Sequence, residues 1–293
     1  MTIFPDVTLI IVCFNSYELL KKNLDKLKKF KCIIYDNSSC KLTFNLLKSF
    51  TNIKYIKSKK NIGYGRANNL AIAKADTKYI LILNPDIKID DCAISNLYSS
   101  FLKYHNCGII GPSLYDANLV RRTNGSISFL KRKKNIISTI KIQKFCEGDT
   151  CYDYIIGCAL FMEKSFFERI GGFDNDFFLY FEDNEICDRV YKNRKVVIET
   201  TSSKMVHYQA MSGKLSLTNK VRLSIIHKIS EYIYLKKNIS KYKLYFLILQ
   251  NFIDFLQRMI FGFISFKFKK SFKNLLRIIS IFLFLSNLHK LVY

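Results

Sequence analysis

The first 115 residues alternate between two hydrophobic periods. "VTLIIVCF" (7–14), "CIIYD" (32–36), "IKYIKS" (53–58) and "YILILN" (79–84) are short apolar runs rich in Ile, Leu, Val and Tyr, which predict strands. Between them, "SYELLKKNLDKLKKF" places Leu20, Leu24 and Leu27 at i, i+4 and i+7 and offers Ser16 as an N-cap. "YGRANNLAIAKA" sets Ala67, Leu70, Ala71 and Lys74 at the same helical spacing. Strands alternating with helices predict an α/β fold, a mostly parallel central sheet flanked by helices. Ligands of such sheets bind beyond the carboxyl ends of the strands. That places "FNS", "DNSS", "NIGYG" and "NPD" at the candidate site, because each follows a strand-like run.

Residues 120–150 are polar, basic and weakly patterned, and read as a variable excursion. A second block follows: "YDYIIGCALFME" as strand, "KSFFERIGGFD" as short helix and turn, "FEDNEICDRVYKNR" as helix, and "KVVIETTSSKMVHYQ" as strand. From about residue 218 the pattern changes to long apolar stretches interrupted by polar and basic residues. The expected organisation is therefore a catalytic domain over 1–217 and a helical tail over 218–293.

Charge changes this picture in two places. The chain carries 47 Lys and Arg against 23 Asp and Glu, a net +24. Residues 221–293 hold 13 of those bases and only two acids, Glu231 and Asp254. Six acids, in contrast, fall within the fifteen residues from Asp174 to Asp188, behind a run of aromatics. The basic residues form no recognisable nucleic-acid module, so a nucleic-acid partner is not expected. The nine cysteines form no C-x-x-C pair and several sit inside strand-like runs, where they read as small buried hydrophobes of a reducing compartment. "MTIFPDVTLIIVCFN" has no basic leader region, and a cytosolic location is expected.

Taken singly, each candidate residue has a structural reading beside its chemical one. Asp36 closes a strand, where it could accept hydrogen bonds from a base or ribose or simply begin an Asp-Asn-Ser-Ser turn. Gly63, Gly65 and Arg66 open a helix in "NIGYGRANN", a setting that suits phosphate as well as a tight loop. Asp86, behind Asn84 and Pro85, could bind a hard divalent ion that bridges diphosphate oxygens, or could complete a turn. His207 ends a late strand; were it to meet Asp86, the mixed O/N set would suit Mn²⁺ at least as well as Mg²⁺. Glu182, Asp183 and Glu185 suit the first turn of a helix through its macrodipole. A carboxylate among Phe177, Phe178, Tyr180 and Phe181 could also serve as a proton acceptor.

The order and spacing of these segments carry more than any one of them. "VTLIIVCFNS", "YDNSS", "NIGYGRANN", "LILNPD", "GIIGPSLYD", "DYIIGCALFMEKSFFERIGGFDNDFFLYFEDNEICDRV" and "MVHYQAMS" together resemble the inverting glycosyltransferases of family 2, which have the GT-A fold. Within that family the chain looks most like the rhamnosyltransferase branch that builds bacterial surface polysaccharides such as O-antigen and capsule. The resemblance implies a nucleotide site of Phe14, Asn15, Asp36, Asn61, Gly63, Arg66, Asn69 and Asn84. It implies Asp86 and His207 as ligands of Mn²⁺ or Mg²⁺, and Asp183, with Glu182 the alternative, as catalytic base. Phe178 and Tyr180 would shape the acceptor side. Phe14 stands where the pattern has a tyrosine, and Cys13 where it has Thr or Ser. The donor implied is a deoxythymidine-diphosphate rhamnose, with a uridine-diphosphate hexose as runner-up, and the acceptor a glycan or lipid-linked glycan.

In the tail, Ile248, Phe252, Phe255, Met259 and Phe263 recur at helical spacing beside a cluster of Lys267, Lys269, Lys270 and Lys273. Gln250, Asn251, Asp254, Gln257 and Arg258 interrupt any membrane span. The tail therefore predicts amphipathic helices on an anionic membrane surface, at the inner face of the cytoplasmic membrane, or a cap or homo-oligomer interface. A catalytically silent scaffold is the remaining alternative.

Overall fold

The computed structural model describes residues 4–38, 40–130, 147–208 and 216–288. The chain divides into two compact units. The first comprises Met1–Asp174 and Glu182–Lys214, and the second Asn175–Phe181 and Leu215–Tyr293. The aromatic segment 175–181, read in sequence as part of the catalytic block, thus belongs with the C-terminal helices.

The first unit opens as β1 (Val7–Cys13), α1 (Tyr17–Leu27), β2 (Lys31–Asp36), α2 (Lys41–Leu47), β3 (Ile53–Lys57), α3 (Tyr64–Ile72), β4 (Tyr79–Leu83), α4 (Asp91–Lys103) and β5 (Cys107–Tyr115). Short strands β6 (Arg121–Arg122), β7 (Gly125–Ser126), β8 (Thr150–Cys151) and β9 (Tyr154–Ile155) follow. It closes with β10 (Ala159–Glu163), α5 (Lys164–Arg169), α6 (Glu182–Lys192) and β11 (Val196–Val206). The sheet runs β3-β2-β1-β4-β10-β5-β11-β8, with β6 on β5, while β7 and β9 pair separately. Strands β1 to β4 are mutually parallel, and β10 runs antiparallel between β4 and β5.

Both faces of this sheet are covered, which is why β1 and β4 are buried at every position and read as unbroken apolar runs. Leu9, Ile11, Cys32, Ile34, Leu81 and Phe161 face one core, and Ile10, Val12, Ile33, Ile80, Ile82 and Leu160 the other. The predicted strands and the four predicted helices form, but with local differences. Ser16 makes no cap; its hydroxyl bonds the backbone N–H and carbonyl of Phe14 instead. Leu70 of α3 is half-exposed, because Gly65, Ala67, Asn68, Ala71 and Ile72 form the buried face. "YDYIIGCALFME" splits into β9 and β10 around the Ile156–Cys158 turn. Residues 131–146 of the variable excursion lie outside the described residues, as do Cys146 and the 209–212 end of the family-like pattern.

The second unit contains α7 (Leu217–Asn238), α8 (Lys241–Ile264) and α9 (Phe268–Leu285). Helix α9 packs on both α7 and α8. Phe284 meets Tyr232 at 5.4 Å between ring centroids, and Gly262 of α8 lets Ser271 of α9 approach so closely that a Cβ would lie 2.4 Å from its hydroxyl. The 175–181 segment is fixed to α7: Ser230 donates to the Leu179 carbonyl at 2.8 Å, Lys237 pairs with Asp176 at 2.6 Å, and Phe177 is wholly buried.

Candidate active site

Parallel pairing sets the ends of β1, β2 and β4 at one edge of the sheet: Cys13 lies beside Asp36, and Ile11 beside Leu83. Phe14 emerges from that edge half-exposed, a ring available for stacking, and Asn15 takes a left-handed φ of 53° that its short polar side chain tolerates. Asp36 is fully buried. Its carboxylate accepts from Ser38 N (2.8 Å), Cys40 N (3.1 Å) and the Tyr55 hydroxyl (2.8 Å), so it shapes the β2 loop. Burial pushes the Cys13 thiol well above its usual range, and the neighbouring Asp36 charge adds to the effect.

The β3–α3 loop is held by a residue that spacing alone does not single out. Asn37 accepts from Ile62 N and donates to the Gly63 carbonyl, tying the loop after β2 to the one opening α3. Asn61 accepts from Gly63 N at 3.0 Å, and Gly63 adopts φ 93°. This turn aims the N-terminus of α3, carrying Arg66, at the sheet edge. Gly65 cannot be larger: a Cβ there would sit 2.9 Å from that of Phe173. Asn69 differs from expectation. Its amide clasps Phe173, donating to the carbonyl (2.7 Å) and accepting from the N–H (2.8 Å), which makes it part of the scaffold.

Beyond β4, Asn84 turns the chain so that Ile87 pairs antiparallel with His207, which brings His207 against Asp86. The His207 Nε2 lies 3.2 Å from Asp86 Oδ1. Their alignment makes no hydrogen bond, and Asp86 Oδ1 and Asn84 Oδ1 are both buried without a donor. Two ligand atoms bound side by side to a Mn²⁺- or Mg²⁺-sized ion stand about 3 Å apart, given metal–ligand bonds of about 2.1 Å. The residues present therefore fit a divalent cation. Among the described residues no third His, Cys, Asp or Glu joins them. Such an ion would complete its shell with Asn84, water and phosphate oxygens.

Helix α6 presents the acid pair. Asp183 is half-buried; its Oδ2 accepts from Gly157 N (3.2 Å) and its Oδ1 from Asn184 N (2.8 Å). Glu182 is buried, with Oε2 lacking any partner. Burial, reinforced by the Asp183 charge, raises its carboxyl to about 8. Tyr64 reaches the same place from α3, donating to the Gly157 carbonyl at 2.7 Å. Its hydroxyl is pushed far up by burial and then by Glu182. The Cys158 carbonyl accepts from Asn84 N at 2.8 Å while Gly157 N donates to Asp183, so the metal-type pair and the acid pair meet the turn that opens β10; the Cys158 thiol is raised chiefly by burial. Two acids of the cluster have other duties: Glu185 forks onto Arg189, whose guanidinium also reaches the Ile170 and Gly172 carbonyls, and Asp176 binds Lys237.

The family model described as glycosyl transferase family 2 matches residues 8–169, more than half of the chain. The chain belongs to glycosyl transferase family 2. A second model, described as the N-terminal domain of galactosyltransferase, matches residues 140–213. Rhamnosyltransferase WbbL of Escherichia coli is 31% identical over 203 residues, covering 63% of this chain and 76% of that protein. An N-acetylglucosaminyl-diphospho-decaprenol L-rhamnosyltransferase of Mycobacterium tuberculosis is 24% identical over 193 residues, covering 56% and 61%. A mannosyltransferase from Pyrobaculum calidifontis, in complex with GDP-Man and Mn²⁺, superimposes with a TM-score of 0.54 at 14% identity, covering 80% of this chain and 65% of that one. S. aureus TarS does so at 0.53 and 11%, covering 93% and 90%. These structures share the GT-A fold with this family 2 member.

Of the sequence-level site residues in the first unit, the fold sets Phe14, Asn15, Asn84, Asp86, His207, Glu182 and Asp183 on the carboxyl-end side of the sheet. Phe178 and Tyr180 fall in the second unit, where Arg222 lies 5.9 Å from the Phe178 ring and His227 lies 5.1 Å from that of Tyr180. Tyr64, Asn37 and Gly157 are the positioning residues that sequence reasoning missed. Tyr64 had a signal, being the aromatic between the two glycines of "GYG".

Proposed function

We propose that this glycosyltransferase inverts the anomeric centre of a nucleotide-diphosphate sugar, by preference dTDP-rhamnose, as it transfers the sugar to a hydroxyl of a lipid-linked glycan. The observation that carries this reading is that the Gly157–Cys158 turn holds both groups, Gly157 N donating to Asp183 and the Cys158 carbonyl accepting from Asn84 N two residues before Asp86, which lies 3.2 Å from His207. The Phe14 ring is free to stack on a base, and the Asn37-braced opening of α3 directs backbone N–H groups and Arg66 toward a diphosphate. A Mn²⁺ or Mg²⁺ held by Asp86, His207 and Asn84 would neutralise charge on that leaving group. Asp183 takes the proton of the acceptor hydroxyl, whose oxygen attacks the anomeric carbon as the bond to the diphosphate oxygen breaks with its electron pair. The half-buried position of Asp183 and its bonds from Gly157 and Asn184 keep it aimed. Burial, then the Asp183 charge, raises Glu182 to about 8 and so favours its neutral form beside the base position.

Asp183→Asn should lower transfer by about 10²–10⁴-fold, with nucleotide affinity unchanged. Release of nucleoside diphosphate and thermal shift with the donor report the two separately. Retained activity within about tenfold would remove Asp183 from the base role. The match to a galactosyltransferase domain over 140–213 favours a second donor, a UDP-hexose. A thermal-shift screen of dTDP- and UDP-sugars with Mn²⁺ separates the two, since only a bound donor raises the melting point.

The tail reading is refined by α8, which is long and apolar enough to cross a membrane, with only 17% of its most apolar stretch buried. Leu244, Ile248 and Phe255 face the interior of the second unit, whereas Tyr245, Phe246, Leu249, Ile253, Ile260 and Phe261 are exposed. Of the expected Ile248–Phe263 stripe, Ile248 and Phe255 are buried, Phe252 and Met259 are partly exposed and Phe263 is exposed, so most of the exposed band lies beside that stripe. The exposed side of α8 interleaves these apolar residues with Gln250, Gln257 and Arg258, and this amphipathic surface, flanked by lysines, supports binding at a membrane surface; on that reading the enzyme works at the inner leaflet on lipid-linked acceptors.

A further inference from the structure

Between the C-terminal half of α8 and the N-terminal half of α9 lies a cleft of about 540 Å³, a size that suits a small ligand. Five cations line it: Arg258, Lys267, Lys270, Lys273 and Arg277. Among the described residues the only acid paired with any of them is Asp254, on Arg258, and Lys267, Lys270 and Lys273 have no acidic partner. Concentrating five like charges in one cleft raises the energy of the free protein, which an anion would relieve. The cleft is also ordered. Arg277 donates to Asn274 Oδ1 at 3.2 Å and rests 5.1 Å from the Phe255 ring. The close Gly262–Ser271 approach sets the spacing of the two helices, and the first turn of α9 adds its own positive end.

We propose that this cleft binds the phosphate of a membrane lipid headgroup, a phosphate monoester or diphosphate, and so docks the tail on a specific lipid. The proposal deepens the membrane reading above and rests on it. Charge complementarity identifies phosphate, since Lys and Arg together satisfy both its charge and its several acceptor oxygens. The lipid source is indicated by the rim: Phe261 is 66% exposed, Ile264 71% and Phe266 80%, all beside the α8–α9 turn. A free phosphate gains nothing from such a rim, whereas an acyl or prenyl chain attached to the phosphate buries it.

The test uses the full-length protein in vesicle co-flotation. Phosphatidylcholine vesicles containing phosphatidic acid are compared with vesicles brought to the same surface charge by phosphatidylglycerol, whose phosphate is a diester. The wild type should prefer phosphatidic acid, and inorganic pyrophosphate should abolish that preference. Lys270→Ala/Lys273→Ala should weaken phosphatidic acid binding about 25-fold, at about fivefold per cation. Lys241→Ala/Lys243→Ala removes the same charge from the start of α8, outside the cleft, and should retain the preference. Equal losses in both variants, or binding that follows surface charge alone, would refute the cleft while leaving the membrane reading intact. Pyrophosphate binding with no phosphatidic acid preference would refute the lipid source. Absence of flotation on every vesicle would refute both. Nucleoside diphosphate release from the donor, measured without membrane, should be the same in both variants as in the wild type.

Discussion

Replacing Glu182 with Gln isolates the most perturbed carboxyl of the acid pair. Burial and the Asp183 charge raise Glu182 from 4.5 to about 8, while in the unfolded chain it returns to its ordinary value. Between those two values the native protein holds a proton that the unfolded chain has released, so stability falls as pH rises through the window. Each pH unit inside it costs up to about 1.4 kcal/mol, so going from about pH 5.5 to about pH 7.5 costs at most about 3 kcal/mol. At roughly 2–4 °C per kcal/mol for a unit of this size, the wild-type melting temperature should fall by up to about 10 °C from this group. Glu182→Gln is neutral throughout and abolishes that component. Other ionisable groups act equally on both proteins, so the difference between their melting curves, recorded by calorimetry across the window, reports Glu182 alone. The gap should open in favour of the variant as pH rises. Parallel curves would mean that Glu182 is ionised and solvated in the native protein, and the division of roles within the acid pair would fail.

Three further outcomes test the frame around the site. Asn69→Ala removes both hydrogen bonds to the Phe173 backbone and should cost about 2–3 kcal/mol in chemical denaturation. Gly65→Ala adds about 0.5–1 kcal/mol of helix propensity. Its Cβ meets the Cβ of Phe173 at 2.9 Å, an overpacking that costs about 1–3 kcal/mol, so the net should be destabilising in the same assay. His207→Ala should weaken Mn²⁺-dependent binding of nucleoside diphosphate by at least about tenfold, measured by titration calorimetry, and leave metal-free binding unchanged.

The parallel half of the sheet was legible because burial on both faces turns its strands into unbroken apolar runs, as in Tyr79–Leu83. Helix α4 was readable in principle, since Asp90 caps it and Ile94, Leu97 and Phe101 recur at helical spacing, but serines and Cys92 dilute that pattern. The meeting of Asp86 with His207 could not be read from spacing, because 120 intervening residues fold back before the Ile87–His207 bridge forms. Nor could the difference between Glu182 and Asp183. Adjacent helical residues point about 100° apart, and only the packing of α6 against Gly157 and Tyr64 decides which carboxyl reaches solvent. Asn37 looked like turn chemistry, and its amide does build turns, but on the neighbouring loop.

The C-terminal unit is interleaved with the first in the order of the chain, because it borrows Asn175–Phe181 from just ahead of the acid pair. It is therefore no exchangeable cassette. A gene truncated near residue 215 would still encode the wholly buried Phe177 and the 6%-exposed Phe178, but without the helix to which Asp176, Phe178 and Leu179 are tied. A chimaera joined at that boundary inherits a graft with one root left behind.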